Sequence, residues 1–141
     1  MNTKSMMLRA ITFCLCSFMA SQGFAQNGGP VLTVVVNDVE EQKGKIGFQV
    51  MDAEQNVLFQ DWVPVKESSV STTFTLESSG KYAVRFFHDV NDNGEMDFYW
   101  YGPPKESYGN SNDVQGFMGP PDFQQTIFQV DSDMVMTMKI L

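Results

Sequence analysis

Residues 82–97 read YAVRFFHDVNDNGEMD and join a β-strand pattern directly to a loop motif. In the first half, large side chains recur at every second position, as expected for a strand with one face in a core. The side chains on that face would be Tyr82, Val84, Phe86 and His88. The sequence therefore predicts a strand that ends at a group of acidic and amide residues.

The second half of this stretch follows the start of a D-x-[DN]-x-[DN]-G calcium loop. Alternate positions place oxygen atoms on one side of a tightly turning backbone, and Gly94 supplies the positive φ that the turn needs. The predicted ligands are the side chains of Asp89, Asn91, Asn93 and Asp97 and the backbone carbonyl of Glu95.

The predicted calcium affinity is weak. Trp100 stands where a calcium loop usually has a bidentate glutamate, and Asn91 and Asn93 are neutral ligands. We therefore expect a dissociation constant on the order of 10⁻⁴ to 10⁻³ M, as in extracellular modules. A carboxylate from further along the chain, such as Glu106 or Asp113, could complete the coordination.

A turn without metal is the alternative interpretation of the same residues. Asp and Asn side chains accept hydrogen bonds from nearby loop amides, and Asn93-Gly94 is a strong turn dipeptide. In that case Asp89 and Asp97 would bind the amides of the loop. Thermal melting with and without calcium distinguishes the two interpretations.

Six further segments have the alternation or the β-branched composition of strands. They are residues 32–36, 46–51, 57–65, 70–77, 123–130 and 134–140. Pro64 favours a sheet edge or a strand end for the third of them. No window shows a helical period, so we predict an all-β fold: a single antiparallel β-sandwich of about seven strands, Ig-like or transthyretin-like.

Methionine recurs at every second position near the end of the chain. The stripe consists of Met134, Met136, Met138 and Ile140. A copper site would need His or Cys partners, and these are missing, so we interpret the stripe as core.

Residues 89–122 interrupt the strand pattern with a long connection. A connection of this length is usually functional or disordered, and its aromatic content favours order. The aromatic residues in and beside it are Phe98, Tyr99, Trp100, Tyr101, Tyr108, Phe117 and Phe123. We predict a long structured loop excursion at one end of the sandwich.

Four consecutive rings at 98–101 suggest a binding surface. If this segment is extended, Phe98 and Trp100 face one way and Tyr99 and Tyr101 the other. Exposed aromatic rings beside carboxylates can bind sugars or peptides, and the predicted ligand-binding residues are Tyr99, Trp100, Tyr101 and Tyr108. The alternative is a small second core beneath the loop, which a chain of this size without disulfides favours.

The N-terminus has the organisation of a secretory signal peptide at residues 1–25. Lys4 and Arg9 precede an apolar segment at 10–20, and we predict cleavage after Ala25. The apolar segment is too short to span a bilayer. We therefore expect a protein exported to the periplasm or the extracellular space, with no membrane insertion after cleavage.

Export would leave one domain at residues 26–141 without cysteine. Cys14 and Cys16 lie in the apolar segment, and the residues before them do not fit a lipoprotein site. The domain keeps seven of the nine Lys and Arg residues and all 17 carboxylates. This negative charge argues against nucleic acid and anionic membrane surfaces as partners and suits divalent cations.

The order of motifs in the central third resembles the DUF2141 family of exported bacterial proteins. The resemblance is carried by residues 87–97 (FHDVNDNGEMD), 101–112 (YGPPKESYGNSN) and 116–123 (GFMGPPDF). Asn110 departs from the pattern, since the family often has an aromatic or apolar residue there. The resemblance implies a transthyretin-like or prealbumin-like sandwich and implies no activity.

The expected function is therefore that of a non-catalytic exported module that binds an envelope carbohydrate or protein. One alternative is a small hydrolase that uses carboxylates such as Asp97 and Glu106, or His88. Against it, the sequence has no G-x-S-x-G elbow and the residues after export include no thiol. A structural component of an envelope complex is a third possibility, and the oligomeric state is left open.

Overall fold

The computed structural model describes residues 28–141, so the predicted signal peptide at 1–25 lies outside the described residues. The strands are β1 (Val31–Val36), β2 (Lys45–Asp52), β3 (Val57–Pro64), β4 (Val70–Thr75), β5 (Gly80–Asp89), β6 (Tyr108–Asn110), β7 (Phe128–Val130) and β8 (Met134–Met138). One 3₁₀ turn spans Ser111–Asp113, and one helical turn, α1, spans Phe123–Thr126. No helix of this part of the chain is long and apolar enough to cross a membrane.

Two sheets form the sandwich, which confirms the predicted all-β fold. The small sheet has the order β4-β1-β8, and the large sheet has the order β3-β2-β5-β6, with β7 also pairing to β5. β3 lies at an edge, as Pro64 near its end predicted. There are eight strands, because β6 lies inside the segment that was expected to have little strand pattern.

The core lies between the sheets and is built by strict alternation along the strands. In β1 every second side chain is fully buried, and the same holds on the inner face of β2. The largest fully buried side chains are Leu32, Val34, Val36, Ile46, Phe48, Val50, Leu76, Val84 and Met138. Met134 and Met136 pack against this core, so the methionine stripe has a packing role.

Two predicted details of the strands are wrong. β1 and β8 pair in parallel, with Leu32 opposite Met134, so the sandwich is not wholly antiparallel. Phe123–Thr126 forms a helical turn rather than the start of a strand. Asp122 is its N-cap and accepts a hydrogen bond from the Gln124 amide, and this local bond stabilises the turn.

β6 and β7 are two pieces of one interrupted edge strand, because both lie antiparallel to β5 on the same side. β6 pairs with residues 85–87 and β7 with residues 80–82. The hydroxyl of Ser111 fills the gap between them: it accepts from the Val84 amide at 3.0 Å and donates to the Thr126 carbonyl at 2.5 Å. The predicted excursion is thus divided into a β5–β6 connection and an insert at residues 111–127.

Candidate functional site

The connection between β5 and β6 is held at its two ends by the large sheet. The two strands are neighbours, and the His88 amide donates to the carbonyl of Ser107, the residue directly before β6, at 2.8 Å. The connection therefore projects from one end of the sheet on a fixed base. It has two parts, which we name the acidic loop (residues 89–97) and the aromatic hairpin (residues 97–105).

Asp89 is fully buried, and its carboxylate binds the backbone of the acidic loop. One oxygen accepts from the Asn93 amide at 3.0 Å, and the other accepts from the Gly94 amide at 2.7 Å. Gly94 has a φ of 82°, which turns its amide back toward Asp89. These are the contacts of a tight turn that closes on a carboxylate.

Two of the other predicted calcium ligands, Asn91 and Asn93, meet a third, Asp97. The side-chain amides of Asn91 and Asn93 donate to the same Asp97 oxygen, at 2.6 and 3.2 Å. Asn91 also accepts from the Asn93 amide, and Asn93 accepts from the Glu95 amide at 2.9 Å. Every one of these contacts lies within the loop itself.

The structure thus brings together Asn91, Asn93 and Asp97 and directs Asp89 to loop amides. Within residues 28–141, no group of three or more His, Cys, Asp or Glu side chains is arranged to hold a metal ion. The hydrogen-bond pattern is the one expected of a turn, and calcium binding stays a prediction.

Glu106 connects the two ends of the acidic loop. It is buried, and its two oxygens accept from the Val90 amide at 3.0 Å and from the Asp97 amide at 3.1 Å. Sequence reasoning named Glu106 only as a possible extra calcium ligand and missed this role. Asp113, the other suggested ligand, accepts from the Lys139 amide at 2.9 Å, next to the C-terminal segment.

Lys45 links the acidic loop to the large sheet. Its ammonium lies 2.6 Å from Asp92 and 3.9 Å from the buried carboxylate of Asp89. The hydrogen bond to Asp92 raises the pKa of Lys45 above its ordinary value, against the opposing effect of desolvation. The same ammonium lies 4.7 Å from the centre of the Trp62 ring.

The aromatic hairpin is closed by three backbone hydrogen bonds. Lys105 donates to the Asp97 carbonyl, Tyr99 to Pro103, and Gly102 to Tyr99, all at 2.8–2.9 Å. The last bond closes a β-turn at the tip, where Gly102 adopts a φ of 116°. Trp100 and Tyr101 occupy the two central positions of that turn.

The hairpin presents its rings to solvent. Phe98, Tyr99, Trp100 and Tyr101 are 55, 44, 95 and 60% exposed. The Tyr99 and Tyr101 rings stack with centres 5.2 Å apart, and Trp100 meets Tyr101 edge-on at 5.5 Å. The alternative prediction, a second core beneath the loop, is therefore wrong for these four residues. Tyr108, the remaining predicted ligand-binding residue, lies apart from them in β6 and is partly buried.

The candidate catalytic residues have contacts inside the fold. His88 is buried, and its Nε2 lies 2.7 Å from the Lys43 carbonyl. Asp97 and Glu106 are joined through the Asp97 amide, so they do not face each other across a cleft.

One family model matches this chain. It is described as an uncharacterized protein conserved in bacteria (DUF2141), and it matches residues 34–138. This range runs from β1 to the end of β8 and includes the acidic loop and the aromatic hairpin. Neither a curated protein nor a solved structure matches the chain.

Proposed function

Because the chain belongs to the DUF2141 family, whose description names no activity, we propose from its geometry that it is a non-catalytic exported module that binds carbohydrate. The aromatic hairpin is the proposed binding surface, with Tyr99, Trp100 and Tyr101 as the contacting residues. The ligand would be a sugar chain of the cell envelope.

The observation that carries the proposal is the exposure of Trp100, at 95%, on a tip that is closed by hydrogen bonds. A cluster of exposed large aromatic side chains usually marks an interaction site. A rigid backbone beneath them lowers the entropy that is lost when a ligand binds. Flat rings suit the apolar faces of sugars, and Tyr hydroxyls can pair with sugar hydroxyls.

Charged groups beside the rings fit the same ligand. The Lys105 ammonium lies 5.5 Å from the centre of the Tyr99 ring. The acidic loop lies directly before the hairpin in the chain and places Asp97 at its base. A sugar that stacks on the rings would thus have donors and acceptors within reach.

A glycan array tests this proposal with three purified proteins: the wild type, Trp100→Ala and Phe117→Ala. Phe117 is the matched control, because it is equally exposed, at 92%, but lies in the insert between β6 and β7. We expect glycan binding by the wild type and by Phe117→Ala, and its loss in Trp100→Ala. Failure of the wild type to bind any glycan, or equal binding by all three, would contradict the proposal. Capture of an envelope protein that depends on Trp100 would assign the hairpin to protein binding.

Weak calcium binding by the acidic loop is a second part of the proposal. It is supported by the proximity of the Asn91, Asn93 and Asp97 side chains, in which the two amide nitrogens donate to Asp97. Such side chains carry the carboxylate and amide oxygens that suit Ca²⁺. Calcium at millimolar concentration should raise the melting temperature of the wild type and not that of Asp97→Ala. An unchanged melting temperature of the wild type would show that the loop is a turn without metal.

Export is the third part of the proposal and rests on the organisation of residues 1–25. When the full chain is produced in a Gram-negative host, we expect the protein in the periplasmic fraction or the medium. Its mass should correspond to residues 26–141. An intact mass in the cytoplasm would contradict export.

A further inference from the structure

The outer face of the large sheet carries two rows of side chains that run across the strands. Residues 46, 48 and 50 of β2 are buried in the core, so residues 45, 47 and 49 point away from it. Pairing then places partners of the same orientation beside them on β3, β5 and β6. One of these rows is aromatic and the next is polar.

The aromatic row follows a single register across four strands. Gly47 of β2 pairs with Trp62 of β3 and with Phe87 of β5, and Phe87 pairs with Tyr108 of β6. The Trp62 and Phe87 rings meet edge-on, with centres 5.5 Å apart. All three aromatic side chains are only partly buried, so the row is open to solvent.

Gly47 makes this arrangement possible. A Cβ atom at this position would lie 2.6 Å from the Trp62 ring. The indole therefore lies directly over the backbone of β2 and bridges the space between β3 and β5. The result is a continuous aromatic surface rather than two separate side chains.

The polar row lies two residues further along each strand, about 7 Å away. Gln49 pairs with Gln60 on one side and with Arg85 on the other. Arg85 Nε donates to the Gln49 side-chain oxygen at 2.7 Å, and Gln49 donates to Gln60 at 3.4 Å. Gln49 therefore fixes the orientation of the Arg85 guanidinium.

The guanidinium of Arg85 has further hydrogen-bonding capacity. Arg85 is exposed, and among residues 28–141 its side chain forms no ion pair and no hydrogen bond other than the one to Gln49. This is notable in a chain with 17 carboxylates and nine Lys and Arg residues. Neither of these two rows contains a carboxylate, and the nearby Lys45, 4.7 Å from the centre of the Trp62 ring, is paired with Asp92. Arg85 is therefore the cation of this face that is available to an anionic ligand.

We propose that this face binds an acidic sugar residue, a hexuronate within a polysaccharide. The sugar ring lies against Trp62 and Phe87, and its carboxylate pairs with the two free Nη groups of Arg85. The rings supply apolar contact, and the guanidinium supplies a bidentate, charge-assisted hydrogen bond. This proposal does not depend on the aromatic hairpin.

Titration calorimetry of the purified protein tests this proposal, with tetragalacturonate as the acidic probe and cellotetraose as the neutral one. EDTA in the buffer removes any effect of calcium. We expect tetragalacturonate to bind the wild type about tenfold more tightly than cellotetraose does. Arg85→Gln should bind tetragalacturonate about tenfold more weakly than the wild type does. Arg85→Lys should have an affinity between the two, because lysine keeps the positive charge but cannot form the bidentate hydrogen bond of a guanidinium.

Two controls make the result specific to this face. Lys66→Gln removes an exposed cation after β3 and should keep the affinity within about twofold of the wild type. Phe117→Ala removes an exposed ring that lies in neither proposed binding surface, and it should leave the affinity unchanged. The proposal is overturned if Arg85→Gln binds tetragalacturonate like the wild type, if the neutral probe binds equally well, or if poly-glutamate competes with the same affinity.

Discussion

The acidic loop and the aromatic hairpin are adjacent in the chain and share Asp97, yet they are ordered in opposite ways. In the acidic loop, the buried carboxylate of Asp89 binds two backbone amides, and the buried carboxylate of Glu106, directly after the hairpin, binds two more. The hairpin turns its apolar groups outward, with four rings in solvent. An isolated hairpin with exposed rings would be marginal on its own.

The difference shows where the order of the connection comes from. Burial of apolar side chains cannot supply it, because the rings of the hairpin are exposed. Hydrogen bonds from backbone amides to buried carboxylates can supply it, since such charge-assisted bonds are roughly twice as strong as neutral ones. The buried carboxylates of Asp89 and Glu106 therefore support the connection, and the hairpin is the part that presents its side chains to solvent.

The largest effect is expected for Asp89→Ala, which should lower the free energy of unfolding by about 3 kcal/mol. The substitution leaves the amides of Asn93 and Gly94 without their acceptor and Lys45 with only Asp92. Urea denaturation measures the change. Asp92→Ala is the control: its carboxylate is exposed, so its loss should change stability by less than about 1 kcal/mol. If both substitutions lowered the free energy of unfolding equally, the buried carboxylate of Asp89 would not stabilise the fold more than the exposed carboxylate of Asp92 does.

Glu106→Ala should lower the free energy of unfolding by about 2 kcal/mol, because the amides of Val90 and Asp97 lose their shared acceptor. Hydrogen exchange should become faster at both amides and through the hairpin. Glu106→Gln keeps one acceptor oxygen and should show a smaller effect. If exchange in the hairpin stays at the wild-type rate in Glu106→Ala, the acidic loop does not support the hairpin.

The contribution of Lys45 should depend on pH in the alkaline range. Its pKa in the folded state is raised above the ordinary 10.5 by the hydrogen bond to Asp92, so the charged form stabilises the fold. The stabilisation is complete below the unfolded-state pKa and is lost as the pH rises through the folded-state pKa. The stability difference between wild type and Lys45→Gln should thus be constant at neutral and mildly alkaline pH and shrink above that range. A difference that grows with rising pH would contradict this assignment.

The smallest effect on stability is expected for Trp100→Ala. Its side chain is 95% exposed and meets the Tyr101 ring edge-on, so the free energy of unfolding should change by less than about 0.5 kcal/mol. Thermal melting and urea denaturation measure this directly. A loss as large as that of Glu106→Ala would mean that the ring is part of the packing rather than a contact surface.

The fold could be predicted from the sequence wherever alternation was strong. Val31–Val36, Lys45–Asp52 and Gly80–Asp89 alternate clearly, and each forms a strand with the expected inner face. Alternation states which face is buried but not which strand is the neighbour, so the parallel pairing of β1 and β8 was missed. In Phe123–Thr126, the N-cap Asp122 after Pro120-Pro121 was the signal that could have indicated the helical turn.

The candidate sites were predictable only in part, for a different reason. The spacing of Asp89, Asn91, Asn93 and Gly94 gave the acidic loop, because a tight turn is a local property. The hydrogen bonds of Glu106 to Val90 and Asp97 and the contact of Arg85 with Gln49 join residues that are distant in sequence. Trp62 and Phe87 share a row only because of the register of β3, β2 and β5.

The parallel pairing of β1 with β8 also determines when the molecule can fold during synthesis. The middle strand of the small sheet, at residues 31–36, has one of its two neighbours at residues 134–138. The ribosome makes residues 134–138 long after residues 31–36, so a growing chain cannot complete the small sheet until β8 has been made. Contacts between such distant segments also slow folding. The small sheet is therefore completed late in synthesis, and β1 lacks one of its two neighbours until β8 has been made.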